Sequence, residues 1–207
     1  MAKVNVVLPG AAERELALSA APEPLRAGAT VYVFGKNGFE KARAGSNGFT
    51  CLVNRDAFIY GASHLKPTCW DAAGATTYVP VMLKLGELLA RGASADAIRA
   101  AIDAGFADHT FNPPRTGGVA YMLAGDVEVD ASTGEVTRQL FPGHFMFYVN
   151  GVTNEQLGYV AGATHAQNLP HVFSDGAGGN HGLAYVIVVA AKPEQDGASK
   201  AADRMRH

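Results

Sequence analysis

No stretch of this chain is apolar for the ~20 residues that a helix needs to cross a bilayer, which argues against a membrane-spanning segment. Nor does any block of Lys or Arg stand out from a formal net charge of −2. Nucleic-acid binding draws on a dense basic stripe that displaces counterions, so that class of partner is not expected. Charge is scarce as well, at 17% of residues against 48% hydrophobic. That balance is opposite to a disordered chain's, and it suggests a surface partly covered, by a large core or by a second copy in a homo-oligomer.

Chemical signatures are equally sparse. The only cysteines, Cys51 and Cys69, form neither a CxxC redox pair nor half of a four-thiolate zinc site. They read as buried thiols in a cytoplasmic protein, or as one disulfide in an exported one. Met1 to Gly10 holds only the brief apolar run Val6-Val7-Leu8. A signal peptide has a longer one, so the chain as written reads as cytoplasmic, with export as the alternative. There is no GxSxG elbow to carry a hydrolase serine, and no HxH or HExxH metal spacing. The glycine-rich loop Asp175 to Asn180 lacks the Lys-Ser/Thr ending of a P-loop and leads into a strand instead of a helix.

What is present points to an α+β protein, a mostly antiparallel sheet of six or seven strands with two central helices packed on one face. Thr30 to Phe34, the Asn37-Gly38 turn and Phe39 to Ala44 read as a hairpin, and Phe49 to Val53 extends it as an antiparallel meander. Pro80 to Arg91 and Ala95 to Ala104, the latter capped by Ser94, have helical spacing. Further strands are expected at Val119 to Leu123, Val127 to Val129, Phe145 to Val149 and Leu183 to Val189. Thr153-Asn154-Glu155-Gln156 has the form of a capping box, and Ala161 to Gly182 reads as loop. One domain over 1–192 precedes a polar tail, 193–207, expected to be mobile.

Histidine carries the candidate chemistry, since it titrates near neutrality and binds metals. His144 and His181 each precede an apolar strand, so both rings share a sheet edge if those strands are parallel and lie at opposite ends if they are antiparallel. In the shared arrangement His144 or His181 serves as base or as ligand to a divalent metal such as zinc. Asp71 holds the tautomer and Arg55 binds an anionic group, because charges in segments built for burial need a partner or a function. Cys69, beside the only Trp and before Asp71, is weighed as a nucleophile and read instead as packing or a disulfide, since no strong helix is expected to begin there.

The strings Ser46-Asn47-Gly48-Phe49-Thr50-Cys51-Leu52-Val53, Pro67-Thr68-Cys69-Trp70-Asp71, Gly118-Val119-Ala120-Tyr121-Met122-Leu123 and Pro142-Gly143-His144-Phe145-Met146-Phe147-Tyr148 resemble an uncharacterised family of bacterial proteins, often exported. The resemblance spans roughly Ser19 to Val189 and implies no activity and no catalytic residue. It does imply an oxidising compartment, which favours a Cys51–Cys69 bridge. This chain departs from it in showing no evident signal sequence.

Three functions compete. The first is a small-molecule enzyme, hydrolytic in the least specific reading, using histidine. The second is a binding protein in which Phe39, Phe49, Tyr121, Phe147 and Tyr148 line a pocket for an apolar ligand. The third is an interaction module with an exposed strand.

Overall fold

β-Branched and aromatic runs become strands wherever one of their faces has something apolar to meet. The computed structural model describes residues 4–148, 151–158, 170–174 and 181–189. In chain order its elements are helices α1 (Gly10–Ser19) and α2 (Glu23–Arg26), then strands β1 (Thr30–Gly35), β2 (Gly38–Arg43), β3 (Thr50–Asn54) and β4 (Lys66–Trp70). Helices α3 (Ala72–Ala90) and α4 (Ala95–Ala107) follow, then β5 (Gly118–Met122), β6 (Asp126–Val129), β7 (Val136–Phe141), β8 (His144–Tyr148), β9 (His171–Ser174) and β10 (Ala184–Val189). Eight strands form one sheet in the order β2-β1-β3-β4-β5-β8-β10-β9, while β6 and β7 pair as a separate hairpin. The α+β class and the mostly antiparallel sheet are as the sequence predicts. β4, β7 and β9 come from segments not read as strands.

Side-chain alternation splits the interior into two layers. On one face, Leu52, Trp70, Ala120, Met146 and Ile187 meet Tyr78, Met82 and Leu85 of α3 and Ile98 and Ile102 of α4. On the other, Val31, Cys51, Val53 and Cys69 meet Leu16 and Ala17 of α1, together with Val127 and Val129 of β6. On the α1 side of β8, Phe147 is 44% exposed.

The expected meander does not form. β3 lies beside β1 and runs parallel to it, with Thr30 opposite Thr50 and Val31 opposite Cys51. All five residues of β3 are buried, whereas the middle of β2 is exposed. A strand with no solvent face belongs inside the sheet, so β2 takes the edge and β3 crosses to the inner side of β1.

The helix expected to start at Pro80 begins eight residues earlier, at Ala72, with Pro80 inside it. An interior proline costs about 3 kcal/mol, and burial of Tyr78, Val79, Val81, Met82, Leu85 and Leu89 outweighs it at ~1.5–3 kcal/mol per large side chain. Asp71 caps this helix by accepting from Gly74 N–H at 3.0 Å. The capping box is reciprocal, since Thr153 N–H donates to Gln156 Oε1 at 2.9 Å and Gln156 N–H to Thr153 Oγ1 at 3.3 Å. The proposed tail lies outside the described residues, as does most of the Ala161 to Gly182 segment read as loop.

Candidate functional site

The sheet is thinly paired where β4 meets β5, and there a cavity opens. These strands share only two rungs, Cys69 with Tyr121 and Trp70 with Ala120. Beyond them the chain leaves the sheet, with Leu123 N–H donating to the Ala20 carbonyl after α1 at 3.0 Å. The start of β4 finds another partner, as Leu65 and Val127 exchange backbone bonds of 2.9 Å each way. Between the diverging strands lies a cavity of about 460 Å³.

One wall is Asn54, Lys66, Thr68 and Trp70; the other is Met122, His144, Met146, Tyr185 and Ile187. Leu140 and Phe141 at the end of β7, Pro142 after it, and His171 to Phe173 of β9 complete the lining, with Asp126 from the start of β6. The indole N–H of Trp70 donates to Tyr185 Oη at 3.1 Å, which satisfies the polar tip of the Trp.

The polar groups come in three sets. Lys66 Nζ donates to Asp56 Oδ1 at 3.0 Å and stands 5.6 Å from the centre of the Phe173 ring. Asp56 is fully buried and its Oδ2 has no hydrogen-bond partner among the described residues. His64 Nε2 and Asp126 Oδ2 are 2.9 Å apart. His144 is 3% exposed. Its Nδ1 lies 2.8 Å from the Pro142 carbonyl. A carbonyl only accepts, so Nδ1 carries the proton and Nε2 is the bare nitrogen of the neutral ring. Burial pushes this imidazole below its ordinary value, aided by the charge of Lys66 and by His171; the Pro142 bond and Asp126 pull the other way. The ring also packs edge-on against Phe141, with centroids 5.0 Å apart. Gly143 makes the tight entry into β8 possible, because a Cβ there would lie 2.3 Å from the Leu123 carbonyl oxygen.

The structure does not gather the residues expected to form one site. β8 and β10 are antiparallel and His144 pairs with Val189, at the far end of β10 from His181. The six residues of β10 span about 17 Å between the two histidines, so they share neither a cavity nor a metal. His181 instead stacks on Phe106 of α4 at 4.4 Å and lies 2.7 Å from Asp103 Oδ1. Among the described residues no group of three or more His, Cys, Asp or Glu is arranged to hold a metal ion.

Arg55 and Asp71 do not pair with each other or with either histidine. Arg55 is fully buried against Glu13. Asp71 caps α3, accepts Val119 N–H at 2.9 Å and accepts the Tyr148 hydroxyl at 2.5 Å. Burial, reinforced by the Asp71 carboxylate, holds the Tyr148 phenol far above the usual tyrosine range. The aromatic residues expected to line a pocket are likewise dispersed. Phe39 packs in the α3 layer, Phe49 and Tyr121 pair on the α1 side, and Phe147 faces outward.

The cysteines, favoured as free thiols for a cytoplasmic chain, are bridged. Cys51 and Cys69 are directly opposed on β3 and β4, with Cα atoms 4.0 Å apart. Lys66, Asn54, Asp126 and the aromatic rings of Trp70, Phe141, Phe173 and Tyr185 were not singled out as site residues. Of these, Trp70 alone enters the sequence reading, as the neighbour of Cys69. Comparison with protein-family models, with curated proteins and with solved structures gives no match to this chain.

Proposed function

We propose that the protein binds a small, largely apolar organic molecule in the cavity between β4 and β5. A single observation carries this reading. The cavity volume lies within the range of small-molecule sites, and its walls are aromatic and aliphatic with a few converging polar groups. Filling the space tests it. In Met146→Trp the indole occupies the cavity, and saturable binding of the fluorescent probe 1-anilinonaphthalene-8-sulfonate should fall at least about tenfold, an ordinary consequence of closing an apolar pocket. Phe147→Ser serves as a control for probe held on the outer face and should bind as the parent does. Equal probe binding by parent and the folded Met146→Trp variant would remove the proposal.

A hydrolytic reading has its own support in His144. A neutral imidazole with Nδ1 fixed on a backbone carbonyl presents Nε2 as a general base. In that role Nε2 takes a proton from water as the water attacks an ester carbonyl, and the departing alkoxide receives a proton in turn. Turnover of aromatic esters by the parent, lost in His144→Gln with the fold intact, distinguishes an enzyme from a binder. The cross-strand disulfide supports the exported alternative over a cytoplasmic one, since reducing compartments keep thiols free.

A further inference from the structure

The polar chemistry of the cavity says more about its occupant than that it is apolar. His144 has one nitrogen committed to the Pro142 carbonyl, and that bond leaves an acceptor, not a donor, for anything the cavity holds. The ring is 3% exposed, so a molecule that covers it without hydrogen-bonding leaves a desolvated lone pair unmatched, which costs binding free energy. The matching group on the ligand is therefore a hydrogen-bond donor.

Charge narrows the choice. The desolvation that keeps His144 neutral also disfavours an ammonium placed against it, and Lys66 contributes positive charge to the same space. Asp126 is engaged with His64, and Asp56 with Lys66, so both acidic groups already have cationic or hydrogen-bonding partners. A neutral donor fits best. The surrounding walls then favour a ring, because Trp70, Phe141, Phe173 and Tyr185 all line the cavity. Aromatic faces and edges gain by offset and edge-on contacts with another ring beyond simple area burial. An aromatic hydroxyl combines both requirements, and it donates more strongly than an aliphatic one, its acidity being that of a phenol.

Resting on the binding reading above, we infer that the ligand class is a neutral phenol, its hydroxyl donating to Nε2 of His144 and its ring held among the aromatic walls. Acidification bears on this directly. Once His144 takes up a proton, both nitrogens donate and the phenolic hydroxyl loses its acceptor. The groups facing His144 are Asp126, Lys66 and His171, the first two held by His64 and Asp56.

The test is calorimetric titration of the parent at pH 7.5 with 4-propylphenol, 4-propylanisole, propylbenzene and 4-propylbenzylamine. The phenol should bind about tenfold more tightly than its methyl ether, the worth of one matched hydrogen bond at a buried acceptor. In His144→Phe the phenol and the ether should bind within about twofold of each other, and lowering the pH should shrink the parent's preference in the same direction. Binding of none of the four overturns the cavity reading itself. Equal binding of phenol, ether and hydrocarbon by the parent leaves the cavity reading standing and overturns the hydroxyl. Tightest binding of the amine overturns the neutral donor in favour of recognition by Asp126. The ligand series in the parent decides these outcomes even if the variant fails to fold.

Discussion

Arg55 and Glu13 form a two-bonded ion pair from which solvent is wholly excluded, Nη1 to Oε1 at 2.7 Å and Nη2 to Oε2 at 2.8 Å. The guanidinium also lies 4.3 Å from the centre of the Phe34 ring and donates to the Val53 carbonyl at 2.7 Å. It ties α1 to the end of β3. Removing one partner strands the other in the interior, so Arg55→Met or Glu13→Gln should each cost roughly 3–5 kcal/mol, whereas the double variant Arg55→Met/Glu13→Leu should recover part of that loss. Urea melts of the three variants measure it. A single variant as stable as the parent contradicts the assignment of a buried structural pair.

The Cys51–Cys69 bridge closes a loop with a sequence separation of 18. A loop of this size stabilises by about 3 kcal/mol on the chain-entropy account. Replacing both residues by alanine should lower the unfolding free energy by about that amount and leave the circular dichroism unchanged. Thiol labelling of the denatured, unreduced protein should add no mass. Two labelled thiols would show that the strands are paired without the covalent link.

Burial holds the His144 imidazole below its ordinary value of 6.5. The unfolded chain therefore takes up a proton near pH 6.5 that the folded chain refuses, and stability contributed by this residue rises with pH up to that value and is level above it. Between pH 7.5 and 5.5 the parent should lose more unfolding free energy than His144→Gln, whose side chain does not titrate. Parallel pH profiles for the two proteins would mean that His144 is not held neutral.

Gly118 faces Tyr148 so closely that a Cβ would lie 2.3 Å from the ring Cε2 and 2.5 Å from Asp71 Oδ2. The ring has little room to yield, because its hydroxyl donates to Asp71 and its oxygen is also held 2.8 Å from the Val119 carbonyl, the one proton lying between two acceptors. Gly118→Ala should destabilise by about 1–3 kcal/mol, the usual cost of overpacking. The companion Gly118→Ala/Tyr148→Leu should be less costly than Gly118→Ala alone, relative to Tyr148→Leu. No difference between these backgrounds would place the strain elsewhere.

The parts of the fold legible in the sequence were those that local chemistry fixes. The Asn37-Gly38 turn, the Ser94 cap and the apolar spacing of Ile98 and Ile102 each report on their own neighbours. β4 is hidden in the sequence because Pro67 gives up a ladder donor, yet it sits inside the sheet where its other residues pack on both faces. β7 shows no alternation, being exposed over its first four residues, and β9 is a four-residue strand directly after Pro170. The site was less legible for a related reason. Whether His144 and His181 meet depends on strand direction, which no residue near either histidine records. The cavity depends on where β4 and β5 separate, a matter of pairing between residues 50 positions apart, Trp70 with Ala120.

That separation has a kinetic side. Two rungs join β4 to β5, as two join β1 to β3, against five between β3 and β4 and five between β5 and β8. Native proteins open in cooperative units divided along such thin places. Amide hydrogen exchange should resolve the β3–β4 pair and the β5–β8–β10 group as separately protected units, with Tyr121 and Cys69 amides opening at lower free energy than those of Leu52 or Met146. An occupant of the cavity bridges both units, so it should slow exchange most at the seam, and its own escape should follow the opening of those two rungs instead of global unfolding.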